Sequence, residues 1–153
     1  MNETVSRAEL ARELFLSGYN CSQAVACAFC DVTGLDIDTA ARLASSFGGG
    51  LGRLREVCGT VSGAALVLGI ARGYSDPKDF EAKKRHYALV QEFARRFSEQ
   101  NGSIVCRELL SGIGVTTGGA PEARTSAYYA KRPCPALAAS AAGILEELLR
   151  ETE

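Results

Sequence analysis

Phe47-Gly48-Gly49-Gly50-Leu51-Gly52-Arg53-Leu54-Arg55 runs into Glu56-Val57-Cys58-Gly59-Thr60-Val61-Ser62-Gly63-Ala64-Ala65-Leu66-Val67-Leu68-Gly69-Ile70-Ala71. The second part is apolar on every side of a helix and carries Gly, Ala and Ser where two backbones can approach, so it predicts a buried central helix. A membrane span needs roughly 20 apolar residues, and Glu56 and Arg72 bracket this shorter segment. Cys58 stands at the helix entrance, where unpaired backbone amides favour thiolate over thiol.

Outward from that helix the chain reads as a series of capped helices. Ser6-Arg7-Ala8-Glu9 is a capping box with Val5 and Leu10 as its hydrophobic staple, and Leu10, Leu14 and Phe15 form the apolar face of a first helix that Gly18 closes. Asn20-Cys21-Ser22-Gln23 opens a second helix by the same logic, predicted to reach about Val32 and stop at Gly34. Asp36 or Asp38 caps a short third helix. After the central segment, Asp76 or Asp79 starts a long amphipathic helix with Phe80, Tyr87, Val90, Ala94 and Phe97 on its inner face. Lys83, Lys84 and Arg85 read as part of its solvated side, and Asn101-Gly102 ends it. Ser103 caps a short helix containing Cys106, and Gly112 to Lys131 lacks a helical period and reads as a long loop. Pro135 suits the first position of a last helix through Leu149, with Cys134 at its cap. No alternating run predicts a strand. The expected fold is an all-α, single-domain helical bundle over residues 1–153, with a central buried helix and six to seven helices in all.

Composition narrows the function. At 153 residues the chain can bury a core without disulfide staples. Seventeen basic residues against 18 acidic ones leave no footprint for nucleic acid or an anionic membrane. The N-terminus lacks a basic and a hydrophobic region, so a cytoplasmic protein is expected, and six cysteines there suggest a metal site or a working redox pair more than a static disulfide framework.

Cys21, Cys58, Cys106 and Cys134 fall at or in the first turn of four different predicted helices. Helix N-termini stabilise thiolates, which attack disulfides and ligate metals and iron-sulfur clusters; the plainer alternative is that free cysteines are small hydrophobes. Cys27-Ala28-Phe29-Cys30 spells Cys-x-x-Cys but lies within a helix, turned away from Cys21, and a core role is favoured for both. Arg53 and Arg55 are candidates to hold an anionic substrate or stabilise a Cys58 thiolate, although solvated surface arginines are commoner. Asn20, Thr60 and Ser62 are candidate donors to sulfur, and His86 reads as an ordinary helix residue. The glycine run fits no nucleotide-binding pattern.

Gly18-Tyr19-Asn20-Cys21-Ser22-Gln23-Ala24-Val25, then Glu56-Val57-Cys58-Gly59-Thr60-Val61-Ser62-Gly63-Ala64, then single Cys106 and Cys134, resembles the C_GCAxxG_C_C family over about residues 12 to 149. The resemblance implies a small helical prokaryotic protein with a thiol-based redox or electron-transfer role, and it carries the family cysteines onto Cys21, Cys58, Cys106 and Cys134. The chain departs from the family label in that Cys58 precedes Gly59, and Thr60 stands where alanine would be expected. Some relatives resemble haem-bearing cytochromes, but no Cys-x-x-Cys-His occurs here, so covalent c-type haem is not expected and no cofactor is assigned. Dithiol-disulfide exchange or electron transfer by those four cysteines is the leading expectation, with Cys58 the preferred attacking thiolate. Expected partners are a small-molecule or protein thiol or disulfide, and a homodimer is a candidate state. The alternative is a closed site in which the same four cysteines bind a metal or an iron-sulfur cluster; they lack the short knuckles typical of structural zinc.

Overall fold

The computed structural model describes residues 6–153 and is all-α; among these residues the sole β-type pairing is an isolated antiparallel bridge between Val57 and Val105. The helices are α1 (Arg7–Leu16), α2 (Cys21–Cys27), α3 (Cys30–Thr33), α4 (Ile37–Ala44), the single glycine turn α5 (Gly48–Leu51), α6 (Gly59–Arg72), α7 (Phe80–Asn101), α8 (Cys106–Leu109), α9 (Ser126–Lys131) and α10 (Cys134–Glu151).

Side chains short enough to fold back on the backbone set the helix starts. Ser6 accepts from the Glu9 amide, Asp36 from Thr39 and Asp79 from Ala82. At α2 the box is complete, with Gln23 N donating to Asn20 Oδ1 and Asn20 N donating to Gln23 Oε1. The expected Val5–Leu10 staple involves a residue outside the described ones. Left-handed Gly34 and Gly102 end α3 and α7.

Three of the expected elements are revised. The second helix breaks at Ala28-Phe29 rather than running to Val32, because Phe29 turns into the core beneath the Arg7 guanidinium and Arg7 Nη1 takes the Ala28 carbonyl at 2.8 Å. The stretch Gly112 to Lys131 contains α9, capped by Thr125 accepting from the Tyr128 amide and held by Tyr128 and Tyr129 against the core. The inner face of α7 is buried only in its C-terminal half: Phe93 and Phe97 are enclosed, whereas Phe80 and Tyr87 are exposed. That half is the part anchored to the end of α10, through Arg96 and Glu151.

Helix α6 packs against α2, α7 and α10, and α1 lies along α10. Val61, Ala64, Val67 and Leu68 of α6 share one core with Phe15, Phe93, Phe97, Leu145 and Leu148. The α6–α2 contact is close enough to require glycine. A Cβ on Gly63 would lie 2.5 Å from the Ser22 carbonyl oxygen, and one on Gly59 would collide with Cys21 Sγ and lie 2.7 Å from the Phe47 carbonyl oxygen. Gly69, expected to serve the same purpose, faces open space.

Gly63→Ala is therefore expected to destabilise the protein by about 1–3 kcal/mol, since the obstructing atoms are backbone. Gly69→Ala is expected to be neutral or to stabilise by up to about 1 kcal/mol through helix propensity. Urea denaturation of the two variants checks the contrast, and equal effects would refute it.

Candidate functional site

The sequence folds so that the four singled-out cysteines line one pocket of about 60 Å³. Cys21, Cys106 and Cys134 are the first residues of α2, α8 and α10, and Cys58 is the residue immediately before α6. Two local devices bring them together. The bare backbone of Gly59 lets Cys21 Sγ settle against the start of α6. The Val57–Val105 bridge pairs the segments carrying Cys58 and Cys106, with Cys58 N donating to Ile104 O at 2.7 Å and Cys106 N donating to Glu56 O at 2.6 Å. Pro133 occupies the α10 cap and Pro135 its second position, one residue away from the register expected from the sequence.

The pocket is more enclosed than a standing thiolate would favour. Cys58 is 5% exposed, and burial, reinforced by the nearby Cys21 sulfur, pushes its thiol up to about 12. Burial likewise pushes Cys134 up to about 12, with Cys21 adding and Arg132 opposing. Cys21 is raised by burial and eased back by the Gly49 amide. At Cys21, Cys58 and Cys134 loss of hydration is the dominant influence and favours the protonated thiol, although each stands at a helix start. Cys58, the expected attacking thiolate, is buried in the folded protein. The glycine at its shoulder makes room for Cys21 instead of for a visitor, while Cys21 and Cys134 keep partial exposure.

Polar groups surround the sulfurs. Thr60 Oγ1 lies 3.1 Å from Cys58 Sγ, one of the suggested donor positions. Arg55, expected more often to be solvated, is 3% exposed; its Nε donates to Thr116 O at 3.0 Å and its Nη1 reaches Cys106 Sγ at 3.8 Å. Its backbone is left-handed (φ 61°), as are Leu51 and Arg53, in a loop closed by Arg55 N donating to Gly49 O and Glu56 N donating to Gly50 O. Such residues are held against their preference by their surroundings. Here the surroundings include the 116–118 segment, which Arg53 and Arg55 strap to the glycine loop.

Arg124, Tyr128 and Arg132 also line the pocket and were not foreseen. Arg124 stacks 4.2 Å from the Phe15 ring and donates to the Phe15 and Tyr19 carbonyls. No spacing in the sequence marks these residues, because the loop before α9 brings them in from far along the chain. Cys27 and Cys30 do not line the pocket. Cys27 is buried, with its Sγ 3.8 Å from Ile37 O, and burial moves its thiol up to about 11. Among the described residues no group of three or more His, Cys, Asp or Glu side chains is arranged to hold a metal ion, and no helix is long and apolar enough to cross a membrane.

The family model described as "Putative redox-active protein (C_GCAxxG_C_C)" matches residues 19–148, and the chain belongs to that family. Comparison with curated proteins and with solved structures found no match.

The raised thiols make stability depend on pH. In the folded protein Cys58 and Cys134 hold protons to about 12, whereas unfolded thiols lose them near 9. Their contribution is complete below pH 9 and is lost as pH rises towards 12, at up to about 1.4 kcal/mol per pH unit for each group. Denaturation of wild type and Cys58→Ser between pH 8.5 and 11 is expected to show a shallower decline in the variant. Parallel slopes would contradict the assignment.

Proposed function

We propose that the protein carries out dithiol-disulfide exchange at the cluster Cys21, Cys58, Cys106 and Cys134, in keeping with the redox description of its family. The observation that carries this reading is the meeting of four free cysteines, from the starts of four separate helices, in one pocket. Cys21 is the proposed point of attack, because its residue is less buried than Cys58 and Cys106 and the Gly49 amide offsets part of the burial that raises its thiol.

The Cys21 thiol gives up its proton and attacks one sulfur of a partner disulfide. The partner S–S bond breaks, and the departing thiolate takes a proton. A second pocket thiol then attacks Cys21 in the mixed disulfide, forming an internal S–S bond and releasing the second partner thiol. Two electrons and two protons pass to the partner, and the pocket is oxidised by the same amount. Arg55 beside Cys106 supplies fixed positive charge where negative charge develops on sulfur. The reaction suits a reducing cytoplasm, where a reduced resting state is maintained. Coordination of a metal or cluster by the four cysteines draws less support, since among the described residues no donor group of three or more is arranged to hold a metal.

Thiol counting and disulfide mapping by peptide mass spectrometry, before and after exposure to a mild disulfide oxidant, test the proposal. Wild type is expected to lose two pocket thiols, with Cys21 in the new bond, while Cys27 and Cys30 stay free. Cys21→Ser is expected to slow pocket oxidation at least about tenfold, and Cys58→Ser to have the smaller effect. Wild-type rates in Cys21→Ser would refute the point of attack. Stoichiometric iron and a visible chromophore in protein purified without oxygen would replace exchange with coordination.

A further inference from the structure

Arg55 presents a feature that the exchange chemistry alone leaves unexplained. Its guanidinium is buried with no carboxylate paired to it among the described residues. Nε is engaged by the Thr116 carbonyl and Nη1 by Cys106, but Nη2 has no hydrogen-bond partner although it is removed from solvent. A buried charge normally has a counter-charge and satisfied donors, because removing an ion from water costs several kcal/mol. The strained loop that aims Arg55 inward holds this side chain in place against both costs.

The surroundings show from where a counter-charge would come. Beside the sulfur pocket lies an outer cavity of about 280 Å³. Asn20, Gly49, Arg55, Arg124, Tyr128 and Arg132 line both spaces, so the two adjoin. Arg53 adds a fourth guanidinium to the outer cavity, where Glu122 is the sole acidic lining residue and is already bonded to Arg132. The cavity beside the cysteines is therefore positively charged, although the chain as a whole carries a net charge of −1. The inner pocket has room for a narrow chain of atoms and the outer cavity for a small molecule.

We infer that the outer cavity is a carboxylate-binding vestibule and that the cluster's disulfide partner is a small anionic disulfide, seated by the free Nη2 of Arg55. The inference rests on the exchange reading for its chemistry and adds the substrate class. A planar carboxylate takes two parallel N–H donors from a guanidinium fork, which sets orientation as well as affinity. With the carboxylate held at Arg55, the sulfur a few bonds away is directed to the pocket that holds Cys21 and Cys106. One S–S bond of the substrate breaks, one forms among the pocket cysteines, and two carboxylate-bearing thiols leave.

Two measurements test it on the full chain. The first is titration calorimetry of the reduced protein with thiodiglycolate, a dicarboxylate whose thioether has no S–S bond to cleave. Binding is expected for wild type and about tenfold or more weaker for Arg55→Met, with partial recovery in Arg55→Lys, which restores charge without the fork. The second compares oxidation rates with dithiodiglycolate and neutral hydroxyethyl disulfide. Wild type is expected to favour the anionic reagent by about tenfold or more, the preference to shrink with added salt, and the ratio to approach one in Arg55→Met. If Arg55→Met does not fold, the salt dependence in wild type still decides the case. Absence of thiodiglycolate binding together with equal, salt-independent rates overturns the vestibule and leaves exchange standing. Arg55-dependent binding without oxidation by either disulfide leaves the vestibule standing and overturns exchange.

Discussion

The contact between α6 and α2 governs the rest of the molecule. Gly59 and Gly63 lie against Cys21 and Ser22 so closely that a single added carbon at either glycine would meet sulfur or backbone. Helices kept this near have little freedom to slide, and the spacing fixes where α2 begins relative to α6. Cys21 and Cys58 are neighbours for that reason. The same pair of helices forms the floor on which the core of Phe15, Val67, Phe97 and Leu145 is assembled, so core packing and sulfur placement are one constraint.

The other two sulfurs arrive by different physics. Cys106 is placed by a few backbone hydrogen bonds around the Val57–Val105 bridge, which act like a fragment of antiparallel sheet inside an otherwise helical protein. Cys134 is delivered by α10, whose long apolar face runs from Leu137 to Leu149 through the core. One cysteine is thus fixed by a glycine contact, one by a bridge and one by burial of a whole helix face. Convergence depends on all three.

Much of this was legible in the sequence because capping is local chemistry. Asn20 with Gln23, Asp36 and Asp79 marked helix starts within a residue or two, and the cysteines' positions followed. Gly63 could be read as a packing glycine, whereas Gly69 could not be distinguished from it, since the difference is what stands opposite in space. The burial of Arg55 was hidden for the same reason: its side chain is turned inward by a left-handed backbone, and the 116–118 segment that covers it lies far along the chain. Position at a helix start suggested thiolates, but the dryness of the pocket is a property of the finished fold and reverses that balance.

Because the four sulfurs stand at the starts of four different helices, a bond between any two of them is also a crosslink in the chain's connectivity. A link from Cys21 to Cys134 would close a loop of over a hundred residues, and loops of that size remove about 4–5 kcal/mol of configurational freedom from the unfolded chain. Oxidation would then tighten the whole domain, not only the pocket. By thermodynamic reciprocity, the energy that holds the helices together would stabilise the oxidised couple and lower its reduction potential. Packing throughout the core, of which Cys58 is a member and against which Cys21 and Cys134 lie, would thus set the redox poise of the pocket.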